Sequence, residues 1–269
     1  TRLLNMCGIG LVNKDDKHAP QIIKAANCEL CTYSEESKEA DFVASDIRYV
    51  SQPDFVGTEF HISGKYDMEV RLGIPGLFNV VNALAAVSVC SFLGLDQARI
   101  SHALENIRVN GRMEIVYTSE RCTVLVDYAH NAVSMESLLS TLRDYKPKRL
   151  VCVFGCGGNR SKDRRYSMGE IGGKMADLSI ITADNSRYEK VEDIIADIRG
   201  SIEKTGGKFI EIPDRREAIR YSILHAQPGD MVAVIGKGHE DYQEINGVRH
   251  HFLDREVIEE TVKELGEKA

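Results

Sequence analysis

Five short apolar runs in the second half of the chain constrain its fold more than any other feature. Each is rich in β-branched residues, and segments with helical spacing of apolar residues separate them, so we predict five buried strands alternating with helices. Strands that are apolar on both faces and alternate with amphipathic helices are typical of a doubly wound, mostly parallel α/β sheet. The predicted strands are Thr123–Val126, Leu150–Phe154, Leu178–Thr182, Phe209–Ile212 and Met231–Ile235.

Polar, charged and glycine residues follow four of these runs directly. Ligands of doubly wound sheets bind beyond the carboxyl ends of the strands. We therefore predict that the four loops converge on one binding site. They are Asp127–His130, Gly155–Arg160, Asp184–Arg187 and Gly236–Glu240.

The turn after Leu150–Phe154 contains three glycines and is followed by basic residues. Glycines let the backbone approach a ligand closely, and a helix N-terminus offers free N–H groups to an anion. The alternative is a plain strand-to-helix turn with a solvated basic face, and the turn lacks the dinucleotide-binding spacing. The residues alone leave both interpretations open. The basic residues are Arg160, Lys162, Arg164 and Arg165.

The first half of the chain has a different pattern. Glu59–Ile62 and Met68–Leu72 alternate around a glycine turn, which predicts an antiparallel hairpin. Two helices should follow, one beginning at an N-cap Asn79 and ending near Leu93, the other spanning about 96–107. Because Val109–Arg112 interrupts the helical pattern, we predict domains at 1–109 and 110–269.

Composition narrows the class of protein. A net charge of -7 argues against broad binding to nucleic acid or to an anionic membrane, and no apolar run approaches the length of a membrane span. Seven scattered cysteines fit free thiols in a reducing cytoplasm better than a disulfide framework. Cys28 and Cys31 have the spacing of a redox or zinc pair, but no second pair exists to complete four ligands. We predict no metal site.

Six motifs occur in order along nearly the whole chain, and together they resemble the Mur ligases of peptidoglycan synthesis. Any one of them would be a weak signal. They are Gly76-x-Phe78-Asn79-x-x-Asn82-x-x-Ala85-Ala86, Gly111-Arg112-Met113-Glu114, Asp127-Tyr128-Ala129-His130, Phe154-Gly-Cys-Gly-Gly158-x-Arg160, Asp184-Asn185-x-Arg187 and Gly236-Lys-Gly-His-Glu-Asp-Tyr-Gln243.

This resemblance implies the remainder of a central ATPase domain followed by a Rossmann-like domain. It implies an ATP- and Mg²⁺-dependent ligase that adds meso-diaminopimelate to UDP-N-acetylmuramoyl-L-alanyl-D-glutamate through an acyl phosphate. The family's phosphate-binding loop and carbamylated lysine would precede Thr1. We therefore expect a truncated piece that is inactive alone, from a cytoplasmic monomer.

The resemblance also assigns an amino-acid site. Arg160 and Arg187 would bind the remote carboxylate of diaminopimelate, since guanidinium binds carboxylate in a bidentate fork. Glu240 would accept from the distal ammonium, and the Gly236 backbone would lie against the ligand. The alternative is a set of surface ion pairs, which are worth little. Asp184, Asn185 and Ser186 would complete the loop that carries Arg187.

Nucleotide-site roles follow in the same way, each with a structural alternative. Asn82 resembles the residue that contacts adenine but could be a helix-face amide. Arg112 and Asp127 resemble residues around the ribose and the interdomain hinge, although Asp127 could be a strand-end cap. His130 would lie near the phosphates or be purely structural. For Lys237, we expect loop geometry to matter more than charge.

The chain departs from the family where proline is usual, at Asn131-Ala132, Tyr166 and Ser186. Proline rigidifies turns, so its loss should loosen these loops. Because Ser186 lies in the loop that selects the amino acid, the same chemistry with L-lysine or another amino acid stays an open alternative. A second alternative is a non-catalytic module that binds an amino acid or a nucleotide, because the sequence contains no phosphate-binding loop.

Overall fold

The structure, a computed structural model, describes residues 2–266. The chain forms two compact units. The first comprises the residues up to Val50 together with Gly57–Arg108, and the second comprises Ser51–Val56 together with the residues from Val109 onward.

Five strands form the sheet of the first unit: β1 (Ile9–Asn13), β2 (Glu29–Ser34), β3 (Phe42–Gln52), β4 (Phe55–Gly64) and β5 (Met68–Leu72). They lie in the order β1-β2-β3-β4-β5. β1 pairs with β2 and β2 with β3 in parallel, whereas β4 and β5 are antiparallel. The register of the last pair places Glu59 opposite Arg71, which confirms the predicted hairpin. β2 was not predicted.

Three α-helices accompany this sheet: α1 (Ala19–Ala25), α2 (Leu77–Phe92) and α3 (Gln97–Asn106). Apolar residues of α2 and α3, including Leu84, Val87 and Ile100, pack on the sheet in one core. The predicted end of α3 was partly wrong, because Ile107 lies beyond the helix and is 37% exposed.

The predicted N-cap of α2 was wrong. Gly76, at φ 104°, occupies that position, so the helix begins earlier than the asparagine suggested. Glycine adopts this backbone region without steric cost. The Asn79 side-chain amide lies in the first turn and donates to the Pro75 carbonyl oxygen at 2.7 Å.

Six strands form the main sheet of the second unit: β6 (Glu114–Thr118), β7 (Cys122–Asp127), β8 (Arg149–Phe154), β9 (Leu178–Ile181), β10 (Phe209–Glu211) and β11 (Asp230–Ile235). Their order is β10-β9-β8-β11-β7-β6. All neighbouring pairs are parallel except β6 with β7. The doubly wound, mostly parallel sheet is therefore confirmed, while the antiparallel edge strand β6 was not predicted.

The helices of this unit are α4 (Ala132–Asp144), α5 (Asp163–Met175), α6 (Val191–Thr205), α7 (Arg215–Leu224) and α8 (Asp254–Glu264). Apolar residues of α7 and α8 share one core with alternate residues of the strands, such as Val124 and Val153. The intervening strand residues Leu125, Cys152 and Phe154 are also buried. Both faces of the sheet are therefore covered, as a parallel sheet requires.

The insertion of β11 between β8 and β7 makes the carboxyl ends of β9, β8, β11 and β7 neighbours along one edge. A short antiparallel hairpin, β12 (Tyr242–Ile245) and β13 (Val248–His251), follows β11. Neither this hairpin nor α8 was predicted.

All seven cysteines lie within the described residues and are free thiols. Cys152 and Cys156 are buried, and burial raises the pKa of the Cys156 thiol to about 12. These two side chains therefore act as small core residues. Within residues 2–266, no helix combines the length and apolar character that a membrane crossing requires.

Candidate functional site

A cleft of about 340 Å³ lies at the carboxyl ends of β7, β8, β9 and β11. It is lined by residues of all four predicted loops. The structure thus brings together most of the predicted amino-acid-site residues. Its lining is Tyr128, His130, Gly155, Cys156, Gly157, Arg160, Arg164, Asp184, Asn185, Arg187, Gly236 and Glu240.

The side chains of Arg160 and Arg187 approach the same glycine, Arg187 with its guanidinium and Arg160 with its aliphatic stem. A Cβ added at Gly157 would lie 2.9 Å from Arg187 Nη1 and 3.8 Å from Arg160 Cγ. Arg187 Nη1 donates to the Gly158 carbonyl oxygen at 2.9 Å, and its Nε lies 3.4 Å from a Glu244 carboxylate oxygen. Among the ion pairs of residues 2–266, none involves Arg160. The cleft therefore offers an unneutralised guanidinium to an anionic group.

Hydrogen-bond acceptors also border the cleft. Asp184 and Asn185 follow β9, and Glu240 follows β11. Asn185 Nδ2 donates to Glu240 Oε2 at 3.0 Å, and the Asp184 carboxylate accepts from the Asn185 backbone N–H at 2.7 Å. The Gly236 backbone, at φ 112°, passes close to Asp184, since an added Cβ would lie 3.3 Å from one Asp184 carboxylate oxygen. This combination suits an ammonium group close to a carboxylate.

Lys237 is a site residue that the sequence prediction undervalued. Its side chain is fully buried, and Nζ lies 3.3 Å from both Asn185 Oδ1 and Glu240 Oε2 and 3.7 Å from Asp184 Oδ1. The expectation that loop geometry would outweigh its charge did not anticipate this buried ion pairing. The sequence did contain a signal for this role, because Lys237 lies between two glycines, directly after a buried strand and near acidic residues.

His130 borders the cleft with a defined orientation. Its Nδ1 lies 2.9 Å from the Tyr128 carbonyl oxygen, which can only accept a hydrogen bond. Nδ1 therefore carries the hydrogen, and Nε2 is left to accept from or, when protonated, to donate to a ligand. Arg112 is exposed, and its guanidinium stacks 4.7 Å from the Tyr128 ring centroid.

Asp127 acts as a strand-end cap in the structure. Its Oδ2 accepts from the Met113 backbone N–H at 2.8 Å and its Oδ1 from Ala129 at 2.7 Å. Burial raises the pKa of this carboxyl group, against the effect of these hydrogen bonds and of nearby Arg112. The carboxylate is thus held by the backbone, and it does not line the cleft.

The basic segment after the glycine turn divides into two pairs. Arg165 is buried and donates to Glu189 and Asp197 at 2.8 and 2.9 Å, and Lys162 lies 3.0 Å from Asp197. These two cations hold α5 against α6 and take no part in the cleft. Arg160 and Arg164 line the cleft instead. The solvated basic face therefore does not describe Arg165, and anion binding stays a prediction for Arg160 and Arg164.

A buried ion pair holds the backbone at the start of two of the loops. Arg215 donates to both carboxylate oxygens of Asp254 at 2.7 Å, and both side chains are fully buried. The same guanidinium donates to the carbonyl oxygens of Ala183 at 3.3 Å and Ile235 at 3.0 Å. These residues directly precede Asp184 and Gly236. Sequence reasoning missed this support because Arg215 and Asp254 are 39 residues apart.

Comparison with known proteins agrees with this architecture. Residues 1–90 match the Mur ligase middle domain, and residues 111–238 match the Mur ligase glutamate ligase domain.

The chain belongs to the Mur ligase family.

Individual relatives within this family share the full extent of the match. The chain is 40% identical over 260 residues to UDP-N-acetylmuramoyl-L-alanyl-D-glutamate--2,6-diaminopimelate ligase 2 of Clostridium acetobutylicum, covering 96% of the chain and 53% of that ligase. It is 41% identical over 253 residues to the diaminopimelate ligase of Trichormus variabilis, covering 93% and 50%. The chain thus spans about half the length of these Mur ligases.

Solved structures give the same result. A structure of UDP-N-acetylmuramoyl-L-alanyl-D-glutamate--2,6-diaminopimelate ligase superposes with a TM-score of 0.77 at 34% identity, covering 99% of this chain and 56% of that one. A folylpolyglutamate synthase from Thermotoga maritima, at 20% identity, has a TM-score of 0.63 and shares the fold.

The positions where this Mur ligase chain lacks the usual prolines are held in other ways. Asn131 is the N-cap of α4 and accepts from the Ser134 backbone N–H at 3.0 Å. Tyr166 donates its backbone N–H to the Lys162 carbonyl oxygen in the first turns of α5. Ser186 is buried, and its carbonyl oxygen accepts from the Glu189 N–H at 3.0 Å. Only the Tyr166 bond is one that proline could not donate, whereas Asn131 and Ser186 act as acceptors.

Asn82 lies in the first unit, on the exposed face of α2. Its Nδ2 donates to Asn79 Oδ1 at 3.3 Å. The residue as a whole is exposed, so this side chain can still bind a ligand. That arrangement is also what a plain helix-face amide would show.

The second-unit cleft fits a magnesium ion poorly. Asp184 and Glu240 lie near Lys237, which provides a cation already. Within residues 2–266, no cluster of three or more histidine, cysteine or acidic side chains could hold a metal. The cleft is instead suited to organic ions, with guanidinium groups for an anion and carboxylates for a cation.

Proposed function

We propose that this chain is part of an ATP-dependent ligase that adds meso-diaminopimelate to UDP-N-acetylmuramoyl-L-alanyl-D-glutamate during peptidoglycan synthesis. Residues 1–109 would form part of its ATP-binding domain and residues 110–269 its amino-acid-binding domain. The observation that carries the proposal is one cleft that holds both Arg160 and Arg187 and the acceptors Asp184 and Glu240.

Such a cleft matches the distal end of diaminopimelate, which carries an ammonium and a carboxylate on one carbon. Arg160 and Arg187 would bind the carboxylate, and Asp184, Asn185 and Glu240 would take the ammonium. Gly236 would let the ligand approach the backbone, and buried Ser186 would keep the loop in place. L-Lysine has no distal carboxylate, so it would leave Arg160 without a partner.

The reaction we propose has two steps. The dipeptide carboxylate takes the γ-phosphoryl group of ATP, releasing ADP, and the free amine of diaminopimelate then attacks the acyl carbon and releases phosphate. Positive charge is needed at the phosphates, and Mg²⁺ would supply much of it. His130 lines the cleft, and because its Nδ1 is engaged by the Tyr128 carbonyl oxygen, its Nε2 would bind a phosphate oxygen.

Nucleotide contacts are assigned by family resemblance. Asn82 would contact adenine, and Arg112 and Asp127 would lie near the ribose. The hydrogen-bonded state of Asp127 limits it to one further acceptor site on each oxygen. We further propose that the protein acts in the cytoplasm as a monomer, and that the 269-residue piece is inactive without the preceding part of its relatives.

Calorimetry on the 269-residue chain tests the amino-acid site directly. meso-Diaminopimelate should bind weakly and L-lysine more weakly still. Equal affinities would remove diaminopimelate as the substrate and favour the alternative of a lysine-adding ligase. For the reaction, ADP release should be measured with the protein in the full length of its relatives. Binding of diaminopimelate without ADP release there would favour the non-catalytic module.

A further inference from the structure

Lys237 occupies an unusual environment for a lysine. It lies in the turn between β11 and β12, its side chain is fully buried, and Nζ lies 5.3 Å from the Tyr242 ring centroid. A buried charge is retained only when it is paired and hydrogen-bonded. Here Asp184, Asn185 and Glu240 provide that pairing. These partners are the three acceptors assigned to the distal ammonium of the amino acid.

One consequence concerns the orientation of the Asn185 amide. Its Oδ1 accepts from Lys237 Nζ at 3.3 Å and from the Glu244 backbone N–H at 2.9 Å. Its Nδ2 donates to Glu240 at 3.0 Å. A flipped amide would direct its NH₂ group at two donors, so Lys237 and Glu244 together fix which end of Asn185 points at Glu240.

A second consequence concerns charge. Asp184 and Glu240 contribute two negative charges and the ammonium of Lys237 one positive charge, so the net charge of the acceptor set is −1. A single incoming ammonium matches that charge. Without Lys237, the acceptor set would attract any cation more strongly, whether or not the ligand also carries a carboxylate for the guanidinium groups.

We propose that Lys237 is a specificity-determining positioning residue, which fixes the Asn185 amide and sets the charge of the acceptor set so that a zwitterionic amino-acid terminus is preferred over a bare ammonium. This inference rests on the proposed function for its choice of ligand. Lys237 acts through Asp184, Asn185 and Glu240 and has no direct contact with the ligand.

The test compares affinities for meso-diaminopimelate and L-lysine by calorimetry on the 269-residue chain. Lys237→Met should lower the ratio of the two affinities about tenfold, mainly through tighter lysine binding. Lys208→Met removes the same charge from an exposed position of the same unit and should leave the ratio unchanged. Lys237→Met combined with Glu240→Gln restores the net charge of the acceptor set and should recover much of the ratio.

Recovery in the double variant separates charge balancing from a merely structural role, because a disordered loop would not be repaired by removing a second charged group. An unchanged ratio in Lys237→Met, or no recovery in the double variant, would overturn the charge argument. Should Lys237→Met fail to unfold cooperatively, the wild-type chain supplies the readout. Its Lys237 ammonium protons, followed by nitrogen-15 NMR, should be protected from exchange and should respond to diaminopimelate; rapid exchange would overturn the proposal.

A wild-type chain that binds neither amino acid would refute the proposed function and the ligand preference together. The positioning role would then be decided by the Asn185 side-chain amide protons. They should exchange slowly in the wild-type chain and in Lys208→Met, and rapidly in Lys237→Met. Equal exchange in all three would remove that role as well.

Discussion

Arg187 has a left-handed backbone, at φ 51°, which is uncommon for a residue with a Cβ. The neighbouring hairpin holds it there, because its N–H donates to the Glu244 carbonyl oxygen at 2.9 Å and its own carbonyl oxygen accepts from Asn246 at 2.6 Å. The side chain is thereby directed to the Gly158 carbonyl oxygen and the cleft. Backbone strain of this kind is common at ligand-binding and active sites.

Arg187→Lys tests this side chain. A lysine keeps the charge but loses the fork, so affinity for meso-diaminopimelate should fall about tenfold, while affinity for L-lysine changes little. Calorimetry on both ligands gives the result. Arg199→Lys, an exchange at an exposed position of α6, serves as the matched control. Parallel losses for both amino acids would contradict a carboxylate-binding role.

Gly158 is required by a close approach. A Cβ at this position would overlap the Ser186 carbonyl oxygen, whereas a Cβ at Gly200 in α6 would meet nothing within 4 Å. Gly158→Ala should therefore lower the free energy of unfolding by about 1–3 kcal/mol through displacement of the loop. Gly200→Ala should raise it by about 0.5–1 kcal/mol because alanine favours a helix. Urea unfolding of both variants should give opposite signs; equal signs would refute the steric argument.

At the scale of secondary structure, Arg215 links α7 to α8 and to the ends of two strands. Arg215→Met would leave the carboxylate of Asp254 buried and unpaired, so the free energy of unfolding should fall by about 3–5 kcal/mol. Its neighbour Arg216 pairs with Glu260 at the exposed surface, and Arg216→Met should change stability by less than about 1 kcal/mol. Chemical denaturation of both variants measures the two free energies of unfolding. Similar decreases in the two variants would show that the buried Arg215–Asp254 pair contributes no more than an exposed one.

The parallel strands of the second unit could be predicted because their runs are apolar on both faces. Elements that depend on tertiary contacts could not. β6 contains Glu114, whose carboxylate is satisfied by the Gly111 N–H and by Arg255 across 141 residues. α8 is rich in charged residues of both signs, and its few apolar residues are buried only because they share a core with α7. The strand order, with β11 between β8 and β7, has no local signal at all.

The candidate site was predicted as a set of loops because strand ends share one edge. The pairing of side chains within those loops could not be predicted, because the partners are far apart along the chain. The sequence placed Arg165 among the anion-binding candidates, but its carboxylate partners lie 24 and 32 residues away and withdraw it from the cleft. Charge alone could not separate it from Arg164, its neighbour. Lys237 was undervalued for the same reason.

Across the whole molecule, several carboxylates have pKa values below their ordinary range. The pKa of Glu189 is lowered by the hydrogen bond from the Asn159 N–H and then by Arg165. For Asp197, burial raises the pKa, but the ion pairs with Lys162 and Arg165 lower it by more. Hydrogen bonds and ion pairs likewise lower the pKa of Asp41 and Asp177 despite burial. Burial acts in the opposite direction on Asp127 and Glu35 and raises their pKa values.

Because a lowered pKa belongs to the folded state, these groups stabilise the fold above their unfolded pKa of about 4, and that contribution is lost as pH falls through the folded values. We expect the melting temperature to fall below about pH 4. The raised pKa values of Asp127 and Glu35 act above that pH, where protonation of these two groups stabilises the fold as pH falls toward their unfolded values. Glu189→Gln should be less stable at neutral pH and should show a shallower decline. A steeper decline in that variant would contradict the assignment.

The ion pair between Arg215 and Asp254 has a practical consequence for anyone who trims or fuses this protein. α8 is near the end of the sequence and looks dispensable, yet it carries the counter-ion of a guanidinium that braces the backbone just ahead of Asp184 and Gly236. Shortening the chain before Asp254 should therefore disturb the loops of the proposed amino-acid site, although it removes no residue that lines the cleft.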